Sequence, residues 1–584
     1  RRIGISLLVA LGIWLLFSWP LPRHVFSGIS SGSLNVEKGS ARVMIPGDHL
    51  QFLYQFWLAD DTLRGNTRPF HNLYEFNAGD DSARSFRGTY YIPFSLFYAA
   101  GAAIGGRAFG YNFSQVVTIW LTLLFTWLLV RRYSHDEWLG GAAAVIAISL
   151  PYPWIVMLDG SPTGLAMMLI PLIYWSLDVM VAERKMWAGA VAGLGILLAE
   201  SDTHVLFFAL LSSPFWCLFS FLFHCPGRWP SKADVGALLK ASALLIAFLA
   251  AAAFLVWHIR QGIQGSTLAD AGRDPLEIIS SSPLPSGVYR WANEGESRKI
   301  YVGGYMGSLL LGGLGVFLWR RFRRPEPSSA PLLTVVLLCL AIAGVVFLST
   351  GMRNPIGPGA WELVMRCMPP YAMIRQPHKI YCLMPILLAL AAGILWPCLL
   401  RGLPPGWRKA AAVALLVPLA LDYGHRIRPT VCLLRAEQGA FRAIAEDAKA
   451  SGNPRPHLLS LPLWPGDSHQ DSLNEHYVSL YRLRMVNGYG GTVKKWFQER
   501  IVLLYESMNA GGIYDEQLDS LLGRGIGYVI LHEDNFPEKG SPFPIGYTLQ
   551  KLLNHPRLVL LGRDATVWAF KIRERSEPAA EKEK

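Results

Sequence analysis

Apolar residues fill the first ~425 positions in long blocks rather than at intervals. Ile3–Phe17, Val116–Val130, Leu139–Leu150, Leu238–Trp257 and Pro331–Leu348 approach or reach the ~20 residues that cross a hydrocarbon core. No water reaches backbone amides there, so such blocks must be helices. Short cationic connectors separate them: Arg131-Arg132, Glu183-Arg184-Lys185, Arg320 to Arg324 and Arg401 to Lys409. Placing every connector on the cytoplasmic face predicts a path of about eleven spans. These are 3–17, 112–130, 137–153, 162–181, 186–200, 203–222, 239–257, 304–320, 330–349, 380–400 and 408–424. Residues 3–17 read as a retained anchor, because no small-x-small cleavage site precedes Pro20-Leu21-Pro22.

Two apolar segments do not fit that count. Tyr91–Gly106 opens with Pro93 and ends in Gly105-Gly106; if it crossed, every later connector would change sides. It predicts a helix in the outer interface. Leu50, Phe52, Leu53, Phe56, Trp57 and Leu63 recur at helical spacing after Asp48. They predict a second amphipathic helix flat on the membrane, with Asp48 suited to its N-cap.

From about residue 425 the pattern changes. Apolar runs shorten at Leu458–Leu461, Tyr528–Leu531, Leu558–Leu561 and Val567–Phe570, alternating with helical stretches at Ala440–Ala450, Lys494–Met508 and Glu516–Gly523. Strands alternating with helices predict a small α/β domain. The expected organisation is a mainly α transmembrane domain over 1–424, with a large first external loop at 20–111. An extracytoplasmic α/β domain follows over 425–575, then a disordered charged tail over 576–584.

Composition supports this division. The chain is 52% hydrophobic and 16% charged, with mean hydropathy +0.28, whereas soluble chains carry about 25% charged residues. The net charge of +12 resides largely in the connectors, where it orients helices; a nucleic-acid partner is not indicated. Seven cysteines are scattered without a Cys-x-x-Cys, and Cys367 and Cys432 are the two able to meet outside the membrane. No Gly-rich phosphate loop follows any expected strand, which removes nucleotide binding.

The candidate chemistry lies on one side of this path. The polar stretch at 20–90 carries Asp48, His49, Asp60, Asp61, Asp80 and Asp81. Other outer segments hold Asp159 before Gly160, and Glu200-Ser201-Asp202-Thr203-His204. Residues 258–303 include Asp270, Asp274, Glu277, Arg290, Arg298 and Lys299. Residues 350–379 include Arg353, Glu362, Arg366, Arg375, His378 and Lys379. The cytoplasmic connectors read as purely topological. Each candidate also has a plainer role. Pro46-Gly47-Asp48 is good turn chemistry, Asp159-Gly160 suits a turn, and the cations at 375–379 suit an interfacial collar.

Several short elements, in order, resemble the polytopic glycosyltransferases of the GT-C superfamily, including YfhO-like and oligosaccharyl- or mannosyl-transferase-like bacterial membrane proteins. They are Pro46-Gly47-Asp48 after the first span, Pro69-Phe70, Tyr91-Ile92-Pro93-Phe94-Ser95-Leu96-Phe97 and Leu128-Leu129-Val130-Arg131-Arg132. Ile374-Arg375-Gln376-Pro377-His378-Lys379 precedes a span, and Leu461-Pro462 and Val486-Asn487-Gly488-Tyr489 lie in the C-terminal part. The resemblance implies transfer of a sugar from a polyprenyl-phosphate donor to a glycan, lipid or protein acceptor, at the extracytoplasmic face of the bacterial inner membrane. It implies Asp48 and Asp159 as catalytic carboxylates. Arg375 and Lys379 become a phosphate clamp, with His49, His378, Asp202 and His204 facing substrate. Such families often carry an acidic pair where this chain has Asp48-His49, and Asp-x-Asp where it has only Asp159. A divalent metal held by Asp48 and Asp159 is therefore an open option. A catalytically inactive envelope-polymer assembly factor, or a lipid or polysaccharide transporter, is the alternative.

Overall fold

The computed structural model describes residues 2–32, 39–85, 88–226, 231–266, 273–292, 295–323, 330–368, 371, 374–490, 493–536 and 545–575. The expected tail at 576–584 and Asp270 lie outside the described residues. The chain forms two compact units. The first comprises Arg1–Ala41, Thr89–His258 and Gly272–Val431; the second comprises Arg42–Gly88, Ile259–Ala271 and Cys432–Lys584.

The first unit is a bundle of apolar helices. Among the described residues seven are long and apolar enough to cross a membrane: Phe94–Ser134, Pro162–Glu183, Thr203–His224, Ala243–Ile263, Glu296–Arg323, Leu332–Ser349 and Pro377–Leu400. An eighth is obtained if Glu137–Ser149 and Pro151–Leu158, bent by 40°, count as one. The expected eleven also included Arg2–Phe17 and Met186–Ser201, which are apolar but shorter. The last expected span lies in the helix Pro405–Arg426, which is not among the seven.

The break before the second expected span has a visible cause. Gly106 takes φ 79°, ψ −177° inside Phe94–Ser134, a conformation open to glycine. A Cβ on Gly101 would lie 2.9 Å from Cα of Gly110, and one on Gly110 would lie 2.7 Å from the Tyr98 carbonyl. In a straight helix residues nine apart are ~13 Å distant, so the chain folds back here. Tyr91–Gly106 is thus not an in-line extension of the span.

The basic connectors do more than orient helices. Arg132 ion-pairs with buried Asp178 and donates to Glu183 at 2.7 Å. Asp178 also accepts from Ser220 Oγ at 2.6 Å, and His224 Nε2 lies 3.1 Å away. A carboxylate at this depth needs such partners, so the reading of these connectors as purely topological is corrected.

The second unit is built on a five-stranded mixed sheet. Its strands are β1 (His457–Leu461), β2 (Arg484–Met485), β3 (Ile526–His532), β4 (Leu558–Asp564) and β5 (Val567–Ile572). Their order is β2-β1-β3-β5-β4; β1 pairs parallel with β2 and β3, while β5 is antiparallel to β3 and β4. Leu459, Leu461, Val529, Leu531 and Phe570 form its core with Ile501 and Leu518. The polar stretch joins this unit. Phe76 N–H donates to the Asn487 carbonyl at 2.8 Å and Asn77 N–H to that of Met485 at 2.9 Å. Asp81 receives a two-pronged contact from Arg484, both arms 2.9 Å, and Asp61 pairs with Arg482. Asp60 binds Arg64, and Asp80 accepts from Ser82. Asp61 and Asp81 therefore tie the loop to this unit, while Asp60 and Asp80 make local contacts within it.

The helix after Gly47 runs Asp48–Leu63, as its spacing predicts. It does not lie flat on a surface: Leu50, Phe52, Tyr54, Phe56, Trp57 and Leu58 are all buried. These positions go round the whole cylinder, the pattern of a core helix, and it packs against Asp471–Tyr481. All seven cysteines are free, so Cys367 and Cys432 do not bridge.

Beneath that helix two carboxyls are buried together. Glu475 is fully buried and Glu75 is 6% exposed, and the two side chains hydrogen-bond each other. Burial, reinforced by the Glu75 and Asp471 charges, holds the Glu475 carboxyl well above the usual range. The protonated form is thus favoured by folding. The contribution of this pair to stability is fully present below the unfolded value of about 4.3 and is lost as pH rises through the raised folded one. Unfolding of the full chain in detergent between pH 5 and 9 should show that decline. Glu75→Gln, which keeps a donor facing Glu475 but removes the neighbouring charge, should lessen the slope, and Glu475→Gln should remove this pair's share of it; equal slopes in parent and Glu75→Gln would exclude a shared proton.

Candidate functional site

The first unit gathers most of the expected residues around the N-terminal ends of two helices. Asp202 caps Thr203–His224: its Oδ1 accepts the Val205 N–H at 2.9 Å, which is why an Asp stands there. Its Oδ2 accepts from Thr163 Oγ1 at 2.8 Å, and His204 Nδ1 stands 3.7 Å from Oδ1. Lys379, only 7% exposed, donates to Ser161 Oγ at 2.9 Å and to Thr163 Oγ1 at 3.0 Å. Thr163 thereby links a buried ammonium to a buried carboxylate. Burial tends to raise the Asp202 carboxyl. The His204 ring, the Lys379 ammonium and the Val205 N–H overcome it and hold the group below the usual carboxylate range. Asp202 is a weak base and a good anchor.

Asp159 follows Pro151–Leu158, with Arg298 Nη2 3.7 Å from its Oδ2. Its side chain lies where Gly32 lacks one: a Cβ on Gly32 would fall 1.6 Å from Asp159 Oδ1. Gly32→Ala should therefore push Asp159 off its place. Overpacking of this kind costs about 1–3 kcal/mol, readable as a lower unfolding temperature in detergent; an unchanged temperature would mean Asp159 moves freely.

His378 is fully buried, with Nδ1 3.0 Å from Glu296 Oε2. Lys299 holds the same carboxylate at 2.9 Å. Arg375 is apart from Lys379 in its bonding: it is half-exposed and donates to Glu277 Oε1 at 3.3 Å, an oxygen also contacted by Arg273. The two cations expected as a clamp thus hold different partners: Lys379 is buried on two hydroxyls, and Arg375 sits in a half-exposed ion pair.

In the second unit Asp48 is exposed at the start of its helix. Gly47 is the N-cap residue and no side chain caps that end, so the capping role is corrected. The Asp48 carboxylate instead accepts the Tyr489 hydroxyl, and a carboxyl oxygen of Glu475 accepts the Tyr489 N–H at 3.1 Å. His49 is buried rather than at the surface. Burial pushes its imidazole down to about 3, so it is neutral. Among the described residues no three His, Cys, Asp or Glu side chains converge as metal ligands, which gives the Asp48–Asp159 metal option no complete donor set there.

Sequence reasoning missed Ser161 and Thr163, the hydroxyls that carry the Lys379–Asp202 connection, and the approach of Glu296 to His378. The only signal for the first was the Ser-Pro-Thr after Asp159-Gly160, where proline favours a helix start.

With this geometry, the fold defines the class: a polytopic, many-helix membrane protein with an appended α/β unit. It resembles the cryo-EM structure of arabinofuranosyltransferase AftD from Mycobacteria with a TM-score of 0.59 at 16% identity, over 98% of this chain and 40% of that one. A mutant form of the same protein gives 0.55 over 98% and 41% at 16% identity. The chain thus spans about two fifths of the length of that transferase. ArnT from Cupriavidus metallidurans, crystallised with undecaprenyl phosphate, gives 0.44 at 12% identity over 98% of both chains. No family model matches the sequence, and no curated protein does.

Proposed function

We propose that this chain is a membrane glycosyltransferase that moves a sugar from a polyprenyl-phosphate donor to an acceptor at the extracytoplasmic face. The observation that supports this reading is the buried Lys379 ammonium, held by Ser161 and Thr163 where the apolar segment Pro377–Leu400 begins. A cation at that level suits a lipid phosphate, whose charge grows as the glycosidic bond breaks. In this reading the acceptor hydroxyl attacks the anomeric carbon and the anomeric C–O bond breaks towards phosphate. The electron pair stays on phosphate, and a carboxylate takes the hydroxyl proton, the role that the sequence resemblance gives to Asp48. Lys379 stabilises the departing phosphate, and Asp202, through Thr163, positions Lys379. Arg298 is the partner that holds Asp159.

The similarity to an arabinofuranosyltransferase makes a pentofuranosyl phosphate lipid the first donor to offer. The test is the full chain in nanodiscs with radiolabelled polyprenyl-phosphate pentose or hexose and an envelope-glycan acceptor. Label moving to the acceptor with release of polyprenyl phosphate is the expected result. Donor left intact with every acceptor would favour the inactive assembly factor.

A further inference from the structure

A second site lies in the first unit, away from these residues. The helices Arg2–Phe17, Phe94–Ser134, Glu137–Ser149 and Pro405–Arg426 enclose a groove of about 330 Å³. Its walls are almost wholly apolar, with Ile5, Val9, Val145 and Leu416 among them, and Gly141 contributes no side chain. Val413 and Val417, on its rim, are about half-exposed.

One end is charged. Lys409 Nζ stands 5.2 Å over the Trp138 ring, and Arg2 ion-pairs with Glu137. Arg131 lies within electrostatic reach of both Arg2 and Glu137. Lys409 and Glu137 line this end, with Arg2 on Glu137 and Arg131 near both, so positive charge is in excess there. Trp138 is 54% exposed, as expected of a ring at the polar boundary of a bilayer. The other end, at Ile13 and Ala420, is uncharged. From Lys409 to Ala420 the helix rises ~16 Å, about half of a ~30 Å hydrocarbon core. The groove is one leaflet deep.

We propose that this groove binds one anionic glycerophospholipid, its phosphate at Lys409 and Arg2 and an acyl chain along Val145 and Leu416. The depth favours an acyl chain of one leaflet over a much longer polyprenyl chain. The site is separate from the Lys379–Asp202 cluster: Glu137–Ser149 and Pro151–Leu158 lead from the charged end of the groove away to Asp159.

The test is native mass spectrometry of the detergent-purified full chain, titrated with phosphatidylglycerol or phosphatidylcholine of identical chains. The parent should retain one phosphatidylglycerol in preference to phosphatidylcholine. Lys409→Glu should lower that preference about ten- to thirtyfold, since each basic group near an anionic lipid contributes severalfold. Val417→Trp, at a half-exposed position that should not disturb folding, should block the chain and abolish retention of either lipid. Equal retention of both lipids by the parent would overturn the proposal. So would parent-like retention by both variants, or displacement of phosphatidylglycerol from the parent by an equal concentration of polyprenyl phosphate.

Discussion

Asp48→Asn is expected to lower sugar transfer by about 10²–10⁴-fold, the usual contribution of a positioned general base. The amide keeps an oxygen to accept the Tyr489 hydroxyl, and no capping bond is at stake because Asp48 makes none. Expression, insertion and unfolding temperature should therefore stay at parental values while turnover falls. Donor binding should also persist, since the base acts on the acceptor. Parental turnover in this variant would remove Asp48 from the chemistry.

Lys379→Met is expected to lower transfer by about 10²–10³-fold, the cost of removing one preorganised group that stabilises developing negative charge. It should also destabilise the protein by about 1–3 kcal/mol, because Asp202 would stay buried, with the hydroxyl of Thr163 no longer held by an ammonium. Adding Asp202→Asn removes the buried charge. The double variant should then regain much of the lost stability and none of the lost activity. Recovery of both together would mean that Lys379 serves packing alone. The two effects are separable because residues sharing one hydrogen-bond network couple in stability, whereas no partner replaces a missing cation.

Much of the fold was legible because membranes and sheets impose local rules. Apolar blocks of span length and shorter alternating runs located the bundle helices and four of the five strands of the second unit. Strand β2, with two residues, is too short to carry a pattern. Where the reading failed, the same local logic misled it. The helix after Gly47 was expected at a surface because apolar spacing alone does not say how many sides will be covered, and the fold covers nearly all of it.

The candidate site was legible only as residue types at the ends of apolar segments. Which of them meet was decided by tertiary structure. Lys379 reaches Ser161 across 218 positions, and Asp61 reaches Arg482 across 421. Hydrophobic periodicity records which face of an element is buried, a property of neighbours in sequence. It holds nothing about a bond between distant groups, whose worth depends on burial and geometry that exist only after the helices pack. The sequence by itself therefore determined a many-helix membrane protein with an α/β part and an acidic loop. The tertiary structure alone decided that Asp61 and Asp81 hold that loop, that His49 is interior, and that Lys379 rather than Arg375 is the buried cation.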